Sequence, residues 1–162
     1  MSTANRKATS AAPARSGPRR PNGLPKAAGR RPANRSARPV LDQAFDRTGL
    51  LALRSAVAAY AAELGAGSRL DDVVLIAHEL SSNAVRHGGG SGRLRLWRDG
   101  YCLMCRVSDT GPGLPDAATI GVDLPAPQTA GGRGLWLARR LATVRIDTGP
   151  DGTVVTAAVP LP

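Results

Sequence analysis

Three short segments carry side chains that could do chemistry together. In ELSSNAVRHGGG, residues 79–90, an acid, an amide and an imidazole recur every four residues as Glu79, Asn83 and His87. Side chains four apart share one face of a helix, so these three form a polar stripe that runs up to a break of glycines. Glu79 offers a carboxylate for proton abstraction, Asn83 an amide oxygen suited to a hard cation such as Mg²⁺, and Arg86 a planar donor suited to phosphate. In SDTGPG, Asp109 ends a strand-like run, and Gly111 and Gly113 follow where backbone and ligand can approach closely. In GGRGLW, Gly131, Gly132 and Gly134 open a helical run whose free amides and dipole favour a phosphate. Together they describe a nucleotide pocket built without a P-loop. No G-x-x-x-x-G-K-[ST] occurs, and no lysine follows Lys26.

The elements that must position these groups follow from periodicity. After an extended stretch, PVLDQAFD, the run TGLLALRSAVAAYAAELG repeats apolar residues at helical spacing and stops at Gly65. A second helix is expected from Ser68, with Asp71 three residues on as a near capping box, through to His87. RLRLW and YCLMCRVSD flank Asp99-Gly100, a two-residue hairpin signal. Residues 110–131 are rich in Gly and Pro without a period, and a loop of that length inside a compact domain carries function or is disordered. GRGLWLARRLA resumes a helix, and TVRIDTG and GTVVTAAVP form a hairpin around Pro150, Asp151 and Gly152. The order predicts a two-layer α/β (α+β) sandwich: a mixed, mostly antiparallel sheet covered by helices on one face.

The 162 residues suffice for one core. The net charge of +10 would ordinarily point to nucleic acid, but 10 of the 22 basic residues fall in residues 1–39, which hold no acid. The remaining 12 basic residues face all 12 acids, so residues 40–162 are neutral. The basic segment is made of Ala, Pro, Arg, Ser and Gly, with Met1 and Leu24 as its large apolar residues, and is expected to be a disordered tail. It reads as a solvated linker or as a weak contact for an anionic partner such as nucleic acid. It has no apolar run of signal-peptide type, and no later segment reaches the ~20 apolar residues of a membrane span. A cytoplasmic location is expected. Cys102 and Cys105 are three apart on a strand, so they point to opposite faces and read as packing residues rather than metal ligands.

The trio ELSSNAVRHG, DTGPG and GGRGLWLARRLA, in this order, closely resembles the N, G1 and G2 boxes of the ATPase superfamily shared by gyrase, the heat-shock chaperone, mismatch-repair proteins and histidine kinases, the Bergerat fold. Within it, residues 40–160 look most like the bacterial anti-sigma-factor serine kinases. The resemblance implies ATP and Mg²⁺ as cofactors, with Asn83 coordinating the metal that bridges the phosphates. It implies Glu79 as general base toward a serine hydroxyl or a water, and Asp109 as acceptor for the adenine amino group, with Gly111 and Gly113 shaping the pocket beneath the ring. Arg86 and His87 match positions near the phosphates and the nucleoside. Gly132 and Gly134 would let the lid wrap the phosphates, and Arg133 would reach the γ-phosphate. Thr153, after Gly152, matches the last glycine box, where its hydroxyl would support Asp109 through water.

The implied activity is ATP-dependent phosphorylation of a serine or threonine on a small antagonist protein, with a sigma factor as a further partner and a homodimer as the assembly. A nucleotide-dependent binding module that transfers no phosphate is the competing reading. Plainer readings stand beside each site: Asp109 in a simple turn, Gly132 and Gly134 as helix punctuation, and His87 as a structural residue at a helix end. Arg139 and Arg140 read as a solvated pair, and Trp97 and Trp136 as core or interface residues.

Overall fold

The computed structural model describes residues 38–115, 117, 119–123 and 133–162. The basic segment up to residue 37 lies outside the described residues, as do Gly131 and Gly132.

Strand β1 (Leu41–Asp46) leads into helix α1 (Leu50–Glu63). The Asp46 carboxylate makes that corner, accepting bonds from the Thr48 hydroxyl at 2.6 Å and from the Thr48 and Gly49 amides at 2.8 and 3.0 Å. Those bonds, the hydroxyl's first, hold its carboxyl below the usual carboxylate range. A single 3₁₀ turn, Gly67–Arg69, then precedes α2 (Leu70–His87). No side chain caps α2, whose N-cap position is Arg69, so the expected capping box from Ser68 does not form. Ser68 lies within the 3₁₀ turn instead, and Arg69 bridges to Asp72 at 2.7 Å and to the Leu141 carbonyl at 2.7 Å.

Strands β2 (Ser91–Asp99) and β3 (Cys102–Asp109) form the first hairpin, α3 (Arg133–Leu141) follows the Gly/Pro-rich loop, and β4 (Thr143–Gly149) and β5 (Gly152–Pro160) form the second hairpin. The first turn is displaced by one residue from the expected Asp99-Gly100. Asp99 pairs with Cys102 in the ladder, leaving Gly100 and Tyr101 at the tip. Gly100 has φ +60°, so the residue needing left-handed backbone sits first in the turn rather than second.

The five strands are ordered β1-β2-β3-β5-β4, with every pairing antiparallel. The chain passes from β3 across α3 to the edge strand β4, then turns back so that β5 inserts beside β3. Alternation gives each central strand one helix-facing set: Leu94 and Leu96, Leu103, Cys105 and Val107, and Val155, Ala157 and Val159. Against them lie Leu53, Val57 and Ala61 of α1 and Val73, Ile76, Leu80 and Ala84 of α2, each set at helical spacing. Each fully buried leucine of this layer contributes about 1.5–3 kcal/mol. Cys105 belongs to this core, and burial pushes its thiol up to about 12. Trp97 and Met104 pair on the opposite face and are buried there, with the Arg106 guanidinium 5.4 Å above the indole.

Candidate functional site

The end of α2 and the end of β3 meet, and glycines make the meeting possible. Gly88 closes the helix by donating its amide to the Ala84 carbonyl at 2.8 Å. Gly89 and Gly90 then take φ of 88° and 90°, left-handed backbone that turns the chain into β2. A methyl group on Gly88 would overlap the Asp109 carboxyl, and one on Gly111 would stand 2.5 Å from the Gly88 Cα. Real Cβ atoms do not approach that closely, so these two backbones touch through missing side chains. The run of glycines after His87 thus does more than break a helix: it lets the end of α2 sit against the carboxylate at the end of β3.

Insertion of β5 beside β3 completes the arrangement, because it sets Asp109 opposite Thr153. Asp109 Oδ1 accepts the Gly111 amide at 3.0 Å and the Thr153 amide at 3.3 Å. Two backbone donors hold one carboxylate oxygen, leaving the other for a ligand donor. The Thr153 hydroxyl pairs with the Thr148 hydroxyl at 2.9 Å, so its link to Asp109 here runs through its backbone amide.

Above Asp109 opens a cleft of roughly 650 Å³, counted with its open mouth. Leu80, Val107, Leu135 and Val155 give it apolar walls, Asn83 and His87 line its α2 side, and Leu114 and Ile120 close it from the loop. Apolar walls around one fixed carboxylate suit a flat heteroaromatic ring with a donor on its edge. Asp109→Asn keeps an oxygen for the two backbone amides but turns the second acceptor into a donor. ATP affinity is then expected to fall about 10- to 100-fold with the fold intact. Unchanged affinity by calorimetry would remove Asp109 from ligand contact.

The remaining sequence-predicted residues sort by position. Asn83 is half-buried, and its Oδ1 accepts from Arg86 Nη2 at 3.2 Å, while Arg86 Nε reaches the Ser82 carbonyl at 3.3 Å. An amide oxygen that already receives a cationic group fits a metal ion, and Asn83 would supply the protein oxygen while phosphates and water filled the other positions. Among the described residues no cluster of three His, Cys, Asp or Glu side chains forms a separate metal site. His87 is exposed at the cleft rim, on the same stripe as Asn83. Glu79 is half-buried one turn deeper, and its carboxylate abuts Gly134 in the first turn of α3, so closely that a methyl group there would overlap it. Gly113 lines the cleft with its backbone against the Gly149 carbonyl. Arg133 is exposed at the start of α3, and Gly132 lies outside the described residues.

Two features depart from the reading of the sequence. Arg139 is not part of a solvated pair: its Nε donates to the Ile120 carbonyl at 3.1 Å and its Nη2 to the Ala117 carbonyl at 3.4 Å. Arg140 does face solvent, 5.9 Å from the Trp136 ring. The contributions of Gly88, Thr148 and the apolar walls were also not visible as site features. The triple glycine was a signal for Gly88, whereas Thr148 stands in an ordinary strand and gave none.

The chain matches the family described as "Histidine kinase-like ATPase domain" over residues 45–159. It is similar to the signal transduction histidine-protein kinase AfsQ2 of Streptomyces coelicolor, 41% identical over 59 residues that make up 34% of this chain and 11% of that protein. Among solved structures, the histidine kinase domain of the Erythrobacter litoralis EL346 blue-light activated histidine kinase aligns at 23% identity and TM-score 0.46, covering 70% of this chain and 64% of that one. The Acinetobacter baumannii histidine kinase AdeS aligns at 14% identity and TM-score 0.45, covering 79% and 71%. The match to this chain thus spans about a tenth of the curated relative and just under two thirds of the first of these structures. With the family matched from strand β1 to the last residues of β5, this chain belongs to the histidine kinase-like ATPase domain family.

Proposed function

We propose that the cleft binds ATP with Mg²⁺ and that the protein transfers the γ-phosphoryl group to a serine or threonine hydroxyl of a small antagonist protein, as an anti-sigma-factor kinase in a partner-switching system. The observation that carries this reading is the single stripe on α2 that leads from Glu79 through Asn83 and His87 to a cleft floored by Asp109. Asp109 would accept the adenine amino group, the apolar walls would hold the ring, and Asn83 would face the phosphates. Asn83 would hold the metal, which when bound would supply charge neutralisation to the transferring group. In the transfer, the attacking oxygen bonds to the γ-phosphorus, the bond to the β-bridging oxygen breaks, and the hydroxyl proton passes to the Glu79 carboxylate. Arg86, now on the Asn83 oxygen, would give up that contact to the metal and turn its guanidinium toward phosphate. Among the described residues no helix is long and apolar enough to cross a membrane.

One observation favours the second reading, a nucleotide-dependent binding module without transfer: Glu79 packs against Gly134 and does not line the cleft. The two readings share the first test. Titration of ATP into the full chain by calorimetry should give binding that requires Mg²⁺, and Asn83→Ala should remove the Mg²⁺-dependent part. Binding of equal strength without the metal would sink the role of Asn83. Labelled γ-phosphate then decides between the readings, since a binding module transfers none to protein or water.

A further inference from the structure

The loop after β3 carries no motif beyond Gly113, yet it supplies two walls of the cleft, Leu114 and Ile120. Each is held by a side chain from another element. The Leu114 amide donates to Thr148 Oγ1 of β4 at 2.9 Å, and that same hydroxyl meets Thr153 Oγ1 at 2.9 Å. The Ile120 carbonyl accepts Arg139 Nε of α3 at 3.1 Å, and the guanidinium reaches back to the Ala117 carbonyl at 3.4 Å. Just beyond the second anchor the Val122 amide donates to the Thr119 carbonyl at 3.0 Å.

We infer that Thr148 and Arg139 are positioning residues for the nucleotide base, holding Leu114 and Ile120 as preformed walls of the cleft that Asp109 also lines. The inference rests on the reading of the cleft as a nucleotide site. Its physical basis is ordering entropy. A Gly/Pro-rich loop that must be ordered by its ligand subtracts about 1–2 kcal/mol per fixed residue from binding, and anchors made beforehand avoid that loss. Arginine suits the task because its planar fork serves two carbonyls at once, where a lysine ammonium offers a point charge. Thr148 acts in two directions. Its oxygen takes the Leu114 amide, and its pairing with the buried Thr153 hydroxyl fixes the side chain that stands next to Asp109 in the cleft.

Neither residue touches the phosphate end, which lies toward Asn83, and this gives the inference its signature. Calorimetry with ATP and with ADP, on full-length wild type and on Thr148→Val, Thr148→Ser, Arg139→Met and Arg139→Lys, reads it directly. Thr148→Val and Arg139→Met are expected to weaken ATP and ADP by the same factor, about tenfold, without changing the Mg²⁺ dependence. Thr148→Ser restores the hydroxyl and should bind as wild type, and Arg139→Lys should fall between. Without nucleotide, Arg139→Met should unfold close to wild type, whereas Thr148→Val leaves the buried Thr153 hydroxyl without its partner and should unfold a little lower, a loss that Thr148→Ser recovers. Wild-type binding with unchanged affinity in both Thr148→Val and Arg139→Met would overturn the inference alone. So would a loss confined to ATP, or unfolding temperatures that fall in step with affinity and are not recovered by Thr148→Ser. Absence of ATP binding by the wild-type protein would overturn the nucleotide reading, and the inference with it.

Discussion

Glu79→Gln is expected to lower the proposed phosphoryl transfer by about 10²- to 10⁴-fold while leaving ATP affinity nearly unchanged, the range a positioned general base supplies. Three observations set the expectation. Glu79 sits one turn before Asn83 on the same face of α2, so a group at Asn83 and a proton acceptor at Glu79 are neighbours. Its carboxylate is half-buried and, among the described residues, engaged in no hydrogen bond or ion pair, which leaves its lone pairs for a substrate proton. It does not line the cleft, so base and sugar binding should not register its loss. Glutamine keeps the volume packed against Gly134 and removes the basic oxygen, whereas Glu79→Ala would also empty the space beside α3. The measurement is incorporation of labelled phosphate into the proposed protein substrate, with ATP hydrolysis as the water reaction. Undiminished transfer in Glu79→Gln would end the assignment of Glu79 as base, and a parallel loss of ATP affinity would recast it as a packing residue.

The second large effect is steric. Gly88→Ala adds a methyl group where the Asp109 side chain already lies. Asp109 cannot yield, because its Oδ1 is tied to the Gly111 and Thr153 amides, and Gly111 itself rests against Gly88. Overpacking of this kind costs typically about 1–3 kcal/mol, and an unfolding midpoint falls roughly 2–8 °C per kcal/mol over the range of domain sizes that brackets this one. The cost falls on the carboxylate that floors the cleft, so ATP binding should drop by about 100-fold, more than stability alone would suggest. Gly90→Ala is the control two residues away. It carries the strain of φ +90° but meets no atom within 4 Å, so it should lose some stability and keep its affinity. Calorimetry and thermal unfolding of the pair separate the two effects. Equal affinity in both variants would show that the Gly88–Asp109 contact does not shape the site.

Residue types and their spacing were enough to locate the local elements and the candidate groups of the site. Helical spacing marked α1, α2 and α3, alternation marked the two hairpins, and the order of the three boxes pointed to the family matched over residues 45–159 and to the roles proposed above for Glu79, Asn83 and Asp109. These signals are legible because they depend on side chains a few residues apart, where the 3.6 and 2.0 periods dictate which groups share a face. Errors at this level were small and local: a turn displaced by one residue at Gly100, and a cap expected at Ser68 where Arg69 bonds to Asp72 and Leu141 instead.

Contacts between distant segments, by contrast, are set by the assembled fold. Insertion of β5 between β3 and β4 puts Thr153 opposite Asp109, and no periodicity encodes that order, because the choice among antiparallel neighbours is made by packing over the whole sheet. The same holds for Gly88 against Asp109, and for Arg139 on the Ile120 carbonyl. An arginine on a short amphipathic helix carries no local sign of whether it meets water or a loop that folds back on it. Composition therefore placed Arg139 in solvent, and the fold placed it behind the cleft wall. The chemistry was local and readable; the cavity that gathers it exists only once the sheet is assembled.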